Sequence, residues 1–171
     1  MFMLRTNKSK PGIKVSGHFA IVASEYNAKF VDSMLAGARE ELTKAGAALV
    51  RIIRVPGAFE IPVVAARLAR SHRPPLSAVI CLGVVIRGET EHARLIGEAV
   101  TQSLAHIQVG SEIPIVHEVL LLENEKQAEV RCLDKNHNRG VEAARTAITM
   151  AGVMKHLEDW GAELDPKNDR I

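Results

Sequence analysis

Several things are scarce in this chain of 171 residues, and each scarcity removes a class of function. Cysteine occurs twice, at Cys81 and Cys132. Cys81 lies inside an apolar run and neither cysteine belongs to a CxxC pair. No disulfide framework or zinc site follows, and a reducing compartment is expected. Net charge is nearly absent: 22 basic residues against 20 acidic ones leave +2. That is too little to argue for nucleic acid or a membrane surface as partner. No apolar run approaches the roughly 20 residues that a membrane helix needs. The start, MFMLRTNKSKPG, is basic but lacks an apolar h-region, so no secretory signal is expected. No His/Cys/Asp cluster has metal-ligand spacing, and no GxSxG, GxGxxG or Walker sequence occurs. What remains is an ordinary globular composition, 47% hydrophobic and 25% charged. It fits one domain, expected in the cytoplasm.

Four short apolar runs read as strands: HFAIVAS from His18, ALVRIIRV from Ala48, SAVICLGVVI from Ser77 and IPIVHEVLL from Ile113. The third is nearly continuous, as a strand buried on both faces should be. Helical periods lie between them. Phe30, Met34, Ala38 and Leu42 are four apart, with Gly46 as the stop. Glu60 to Arg70 is a shorter helix, Leu95 to Ile107 carries an apolar stripe, and an alanine-rich helix runs from Gly140 to about His156. The alternation βαβαβαβα predicts a single-domain three-layer α/β/α sandwich with a four-stranded parallel sheet and flavodoxin-like winding. Residues 1–15 and 158–171, polar and with a late Pro166, are expected to be flexible terminal segments.

In such sheets the ligand sits beyond the carboxyl ends of the strands. The rule points to SEYN, VPGAFEIP, RGETEH and the region from His117 to Asn124. In RGETEH, Gly88 lets a ligand approach the backbone, and the following helix aims free amides at an anion such as phosphate. Thr90 adds a hydroxyl, and an imidazole at the positive end of a helix dipole, here His92, suits a neutral proton acceptor. On spacing alone, a capped helix with a surface histidine explains the motif as well. In VPGAFEIP, amides around Ala58 to Glu60 could read the edge of a planar heterocycle, with Phe59 as an apolar face. A plain strand-to-helix turn is the alternative. Tyr26 is a candidate stacking platform and Asn27 a candidate helix cap. Arg131, Lys135 and Arg139 form a basic group that can hold phosphate or simply face solvent.

Taken together, VPGAFEIP, LGVVIRGETEH and NRGVEAA, in this order and spacing, resemble the lumazine synthase family of riboflavin biosynthesis. The resemblance covers roughly Ile21 to Met154. It implies condensation of 5-amino-6-(D-ribitylamino)uracil with 3,4-dihydroxy-2-butanone 4-phosphate to 6,7-dimethyl-8-ribityllumazine, without metal or other cofactor. By resemblance, Tyr26 stacks on the pyrimidine, Ala58, Phe59 and Glu60 bind the ribityl chain and ring edge, and Val84, Val85 and Ile86 offer their backbone to the ring. Gly88, Glu89 and Thr90 match the phosphate loop, His92 the proton-transfer histidine and Arg131 the phosphate arginine. Lys135, Arg139 and Glu142 match charged positions nearby. The chain departs from the family at His117, where a phenylalanine is usual, at Leu121 and Leu122, where threonines are common, and at Arg139, a frequent lysine. The resemblance also implies a homopentamer with sites between subunits. The absence of an insertion between Arg131 and Gly140 points towards a capsid of twelve pentamers, and association with riboflavin synthase is a further expectation. A non-catalytic lumazine- or flavin-binding scaffold of the same fold is the alternative, but it would not need His92 and Arg131 together. A flavodoxin-like signalling domain would need aspartates to accompany Glu25, and none stands at the other strand ends.

Overall fold

The computed structural model describes residues 16–163 of the chain. Four parallel strands form one sheet in the order β2-β1-β3-β4. They are β1 (His18–Ser24), β2 (Leu49–Val55), β3 (Ala78–Ile86) and β4 (Ile115–Leu122). The register runs Phe19 against Val50 and Ala78, and Cys81 against His117. The long helices are α1 (Ala28–Lys44), α2 (Ile61–Ser71), α3 (His92–Ser111) and α5 (Arg139–Glu163). A short α4 (Glu125–Ala128) runs into a π-helical turn, Glu129–Leu133, that the sequence reading did not foresee.

Strand periodicity sorts the core into two halves. Phe19, Ile21 and Ala23 of β1 and Ile80, Leu82 and Val84 of β3 pack with Met34 of α1 and Ala144 of α5. Ala20 and Val22 of β1 and Val79 and Cys81 of β3 pack with Ile61 of α2 and Leu104 of α3. Each fully buried leucine or isoleucine of this kind stabilises the fold by ~1.5–3 kcal/mol relative to its exposed state. The winding reverses between β1 and β3: one crossover leads from β1 outward to β2, the other from β3 outward to β4. With right-handed connections, that reversal puts α1 and α5 on one face and α2 and α3 on the other. It also opens a crevice at the carboxyl ends of β1 and β3.

Two glycines show how tightly the layers approach. Gly46, at φ 82°, takes the left-handed turn that ends α1. Gly140 opens α5 directly against α1; a Cβ there would lie 1.9 Å from the carbonyl oxygen of Met34. At the other end, α5 continues to Glu163, so the part of the expected tail from 158 to 163 is helical. Residues 1–15 and 164–171, also expected to be flexible, lie outside the described residues. Among the described residues, no helix is long and apolar enough to cross a membrane.

Candidate active site

Three of the four strand-end segments converge on one cavity of about 720 Å³, within the range of small-molecule sites. Its lining includes Tyr26 after β1, Gly57 to Glu60 after β2, Val84 to Ile86 at the end of β3, and Gly88, Thr90 and His92 where α3 begins. Two aromatic rings stand open on its wall: Tyr26 is 73% and Phe59 61% exposed. A ring left in water at that level has not been recruited to the core.

The loop that carries Tyr26 is fastened on both sides. The Glu25 amide donates to the Val55 carbonyl at 2.7 Å and the Tyr26 amide to Pro56 at 3.1 Å, extending the pairing of β1 with β2. Asn27 starts α1 in the left-handed conformation (φ 57°), a conformation asparagine tolerates better than most residues. Its side chain does not cap the helix, as the sequence suggested. Instead, Nδ2 donates to the carbonyl of Val84 at 2.8 Å.

After β2, Ala58–Glu60 form a 3-10 turn that runs into α2, with Pro62 in its first turn. A helical first turn leaves its amides without carbonyl partners, so this segment presents donors to the cavity. The second donor-rich edge is the start of α3. His92 is its first residue, exposed, and its amide donates to the Thr90 hydroxyl at 3.4 Å. At Gly88 a Cβ would meet nothing within 4 Å. The chain's own packing therefore does not demand glycine there. Glu89 is exposed outside the lining. Around this loop runs a surface ladder: Arg87 pairs with Glu123 at 3.4 Å, and Arg94 pairs with Glu91 at 2.5 Å and with Glu98 at 2.6 Å. The Arg94 contact holds the Glu91 carboxyl below its ordinary range.

The remaining expected site residues do not line this cavity. His117, on β4, turns towards α3. The Thr101 hydroxyl donates to the Gly97 carbonyl at 2.7 Å, so it accepts from Nε2–H of His117 at 2.9 Å. Nδ1 then accepts from the Val119 amide at 3.4 Å, which assigns a neutral ring. Burial lowers the His117 pKa in the same direction.

Arg131 lies exposed on the π-helical turn, a local geometry frequent at functional sites. That turn is fixed from below. The Cys132 carbonyl accepts from Ser33 Oγ at 2.7 Å and from Asn138 Nδ2 at 2.6 Å, and Asn138 Oδ1 accepts from the Gly140 amide at 2.9 Å. Asn138 is thus a buried hub between α1, the turn and α5. Lys135 is exposed and acts on Glu40 of α1, and Arg139 is paired with Glu118 and Glu142. Glu118 and Asn138 escaped the sequence reading. The available signal was a charged residue inside the apolar run IPIVHEVLL, and a cap-type residue directly before α5. Burial pushes the Cys132 thiol up to about 11 and that of Cys81 upward as well, which makes neither a thiolate nucleophile. Among the described residues, no group of three His, Cys, Asp or Glu side chains could hold a metal ion.

The expected site residues thus fall into two sets. Tyr26, Ala58, Phe59, Glu60, Val84, Val85, Ile86, Gly88, Thr90 and His92 line the cavity, whereas Glu89, His117, Arg131, Lys135, Arg139 and Glu142 do not. Comparison with known proteins bears on the whole chain. Residues 16–155 match the family described as 6,7-dimethyl-8-ribityllumazine synthase. The chain is 40% identical over 144 residues to the 6,7-dimethyl-8-ribityllumazine synthase of Stenotrophomonas maltophilia (strain R551-3), covering 83% of this chain and 92% of the relative. It is 39% identical over 150 residues to the protein of that name from Mycobacterium avium (strain 104), covering 86% and 91%. Identity to the Clostridium kluyveri (strain ATCC 8527 / DSM 555 / NBRC 12016 / NCIMB 10680 / K1) protein of that name is 39% over 142 residues, covering 82% and 91%.

Proposed function

The chain belongs to the 6,7-dimethyl-8-ribityllumazine synthase family, and from that premise we propose that it is a transferase of riboflavin biosynthesis. It condenses 5-amino-6-(D-ribitylamino)uracil with 3,4-dihydroxy-2-butanone 4-phosphate. The uracil amine attacks the ketone and water leaves as an imine forms. Loss of a proton from the carbon chain expels inorganic phosphate, and the resulting enol tautomerises to a second carbonyl. The ribityl-bearing nitrogen closes the ring onto that carbonyl, and a second water leaves.

The observation that carries this reading is the cavity itself, whose lining combines two exposed aromatic rings with a helix start bearing a histidine. A flat heterocycle stacks on Tyr26 beside Phe59, with the amides of Ala58 to Glu60 and the backbone of Val84 to Ile86 along its edge. Phosphate lies at Gly88, Glu89 and Thr90, where helix amides offset its charge. His92 moves protons between the amine, the imine and the carbon chain.

The cavity lacks a side-chain cation for the phosphate among its lining residues. We infer that a neighbouring subunit supplies it, with His117 and Arg131 meeting the cavity of the next copy in a homopentamer. Twelve such pentamers as a capsid, and association with riboflavin synthase, extend this reading. The test is direct: mix the protein with both substrates and follow lumazine absorbance and phosphate release. Product formation supports the reading. Ligand binding without turnover would replace the enzyme with a non-catalytic scaffold.

A further inference from the structure

Glu118 is the one charged residue on the face of β4 that also carries Val116, Leu120 and Leu122. Its side chain is only 9% exposed. The guanidinium of Arg139 meets it as a fork, Nε at 3.0 Å from Oε2 and Nη2 at 2.7 Å from Oε1, while Nη1 donates to Glu142. A guanidinium fork is the feature that recognises phosphate in two parallel hydrogen bonds. Here a carboxylate already fills it. With Glu142 on Nη1, carboxylates occupy all three nitrogens of the guanidinium. Arg139 stands in the first turn of α5, where the helix dipole disfavours a cation, so the carboxylates are what hold it there. Arg131 belongs to the same neighbourhood: burial pushes the Glu118 carboxyl up, and the charges of Arg139 and Arg131 both draw it back. Both arginines therefore act on one carboxylate, but only Arg139 is bonded to it.

We propose that Glu118 is a positioning residue that withdraws Arg139 from phosphate recognition and leaves Arg131 as the arginine that meets the phosphorylated substrate. The proposal rests on the phosphate reading of Arg131 given above. It predicts that Glu118 limits phosphate affinity. In Glu118→Gln the fork loses its charged partner and keeps the Glu142 contact, which frees Nε and Nη2 of Arg139 for phosphate. The KM for the butanone phosphate and the Ki of inorganic phosphate should then fall together by about 3- to 10-fold, the scale of one charge-assisted contact. The KM for the uracil substrate should move by less than about twofold, because that substrate carries no phosphate. Adding Glu118→Gln to Arg131→Ala should restore part of the lost phosphate affinity. Glu142→Gln loosens the cluster from its outer side and should shift phosphate Ki in the same direction by less, which keeps the test open if Glu118→Gln does not fold. A phosphate Ki unchanged or raised in both glutamine variants would reduce Glu118 to a structural buttress and overturn the proposal. An Arg131→Ala protein with wild-type phosphate Ki would instead remove the phosphate reading on which the proposal stands.

Discussion

The side-chain amide of Asn27 is hydrogen-bonded to the carbonyl of Val84, 57 residues away in sequence, at 2.8 Å. That bond ties the loop bearing Tyr26 to the strand end beneath it, across the point where the sheet reverses its winding.

Asn27→Ala loses this bond and places a less tolerant residue in the left-handed conformation. It should destabilise the protein by about 1–3 kcal/mol in chemical denaturation and raise KM for the uracil substrate. Asn27→Gly removes the bond without the backbone penalty and should be milder in stability, yet alike in KM. Equal stability of all three proteins would show that the bond contributes nothing.

His92 is exposed at the first position of α3, so His92→Ala should fold normally. Its turnover should drop by about 10- to 10³-fold, the usual scale of a general acid–base group. A variant with the wild-type rate would make the residue a helix-end ornament with no part in proton transfer.

The neutral, half-buried His117 makes stability depend on pH. Its folded pKa lies below the ordinary 6.5, so the unfolded chain binds the proton more readily. The stabilisation is complete above that ordinary value and is lost as pH falls through it towards the lowered one. His117→Gln cannot titrate but can still donate to Thr101. Between about pH 7.5 and about pH 5 its denaturation midpoint should decline less than that of the wild type. Parallel curves would contradict the assignment.

A site built from two subunits can be rebuilt from two defective ones. When His92→Ala and Arg131→Ala subunits are unfolded together and reassembled in equal amounts, about a quarter of the interfaces in a closed ring carry both intact residues. Those interfaces should turn over. Confirmed subunit exchange with no activity above that of the separate mutants would place both residues in one subunit's site.

Much of this arrangement was legible in the sequence, for identifiable reasons. The unbroken run of β3 is buried on both faces, and helix-period spacing placed Phe30, Met34, Ala38 and Leu42 against the sheet. Strand-end logic pointed to Tyr26, Phe59 and His92, which line the cavity, because open α/β sheets bind ligands beyond the carboxyl ends of their strands where the winding reverses. What stayed hidden depends on partners distant in the chain. Asn27 reads as a cap because local spacing says nothing of Val84. Glu118 has no evident partner in the sequence, because α5 is what brings Arg139 to it. The 125–133 segment has no long apolar period, since only Ala128 and Cys132 reach the core and its turn is otherwise held by hydrogen bonds from Ser33 and Asn138. The late part of α5 reads as a tail because it is polar. Polarity alone does not stop a helix, and Pro166 lies beyond the described residues.

Gly140 touches no part of the cavity, yet the backbone contact with Met34 leaves no room for any side chain. Whatever replaces it must push the start of α5 outward, and Asn138 and Arg139 travel with it. In a survey of tolerated substitutions, this position should therefore be as intolerant as a chemical group, and a scan that ranks residues by sensitivity alone would mistake a spacer for a participant.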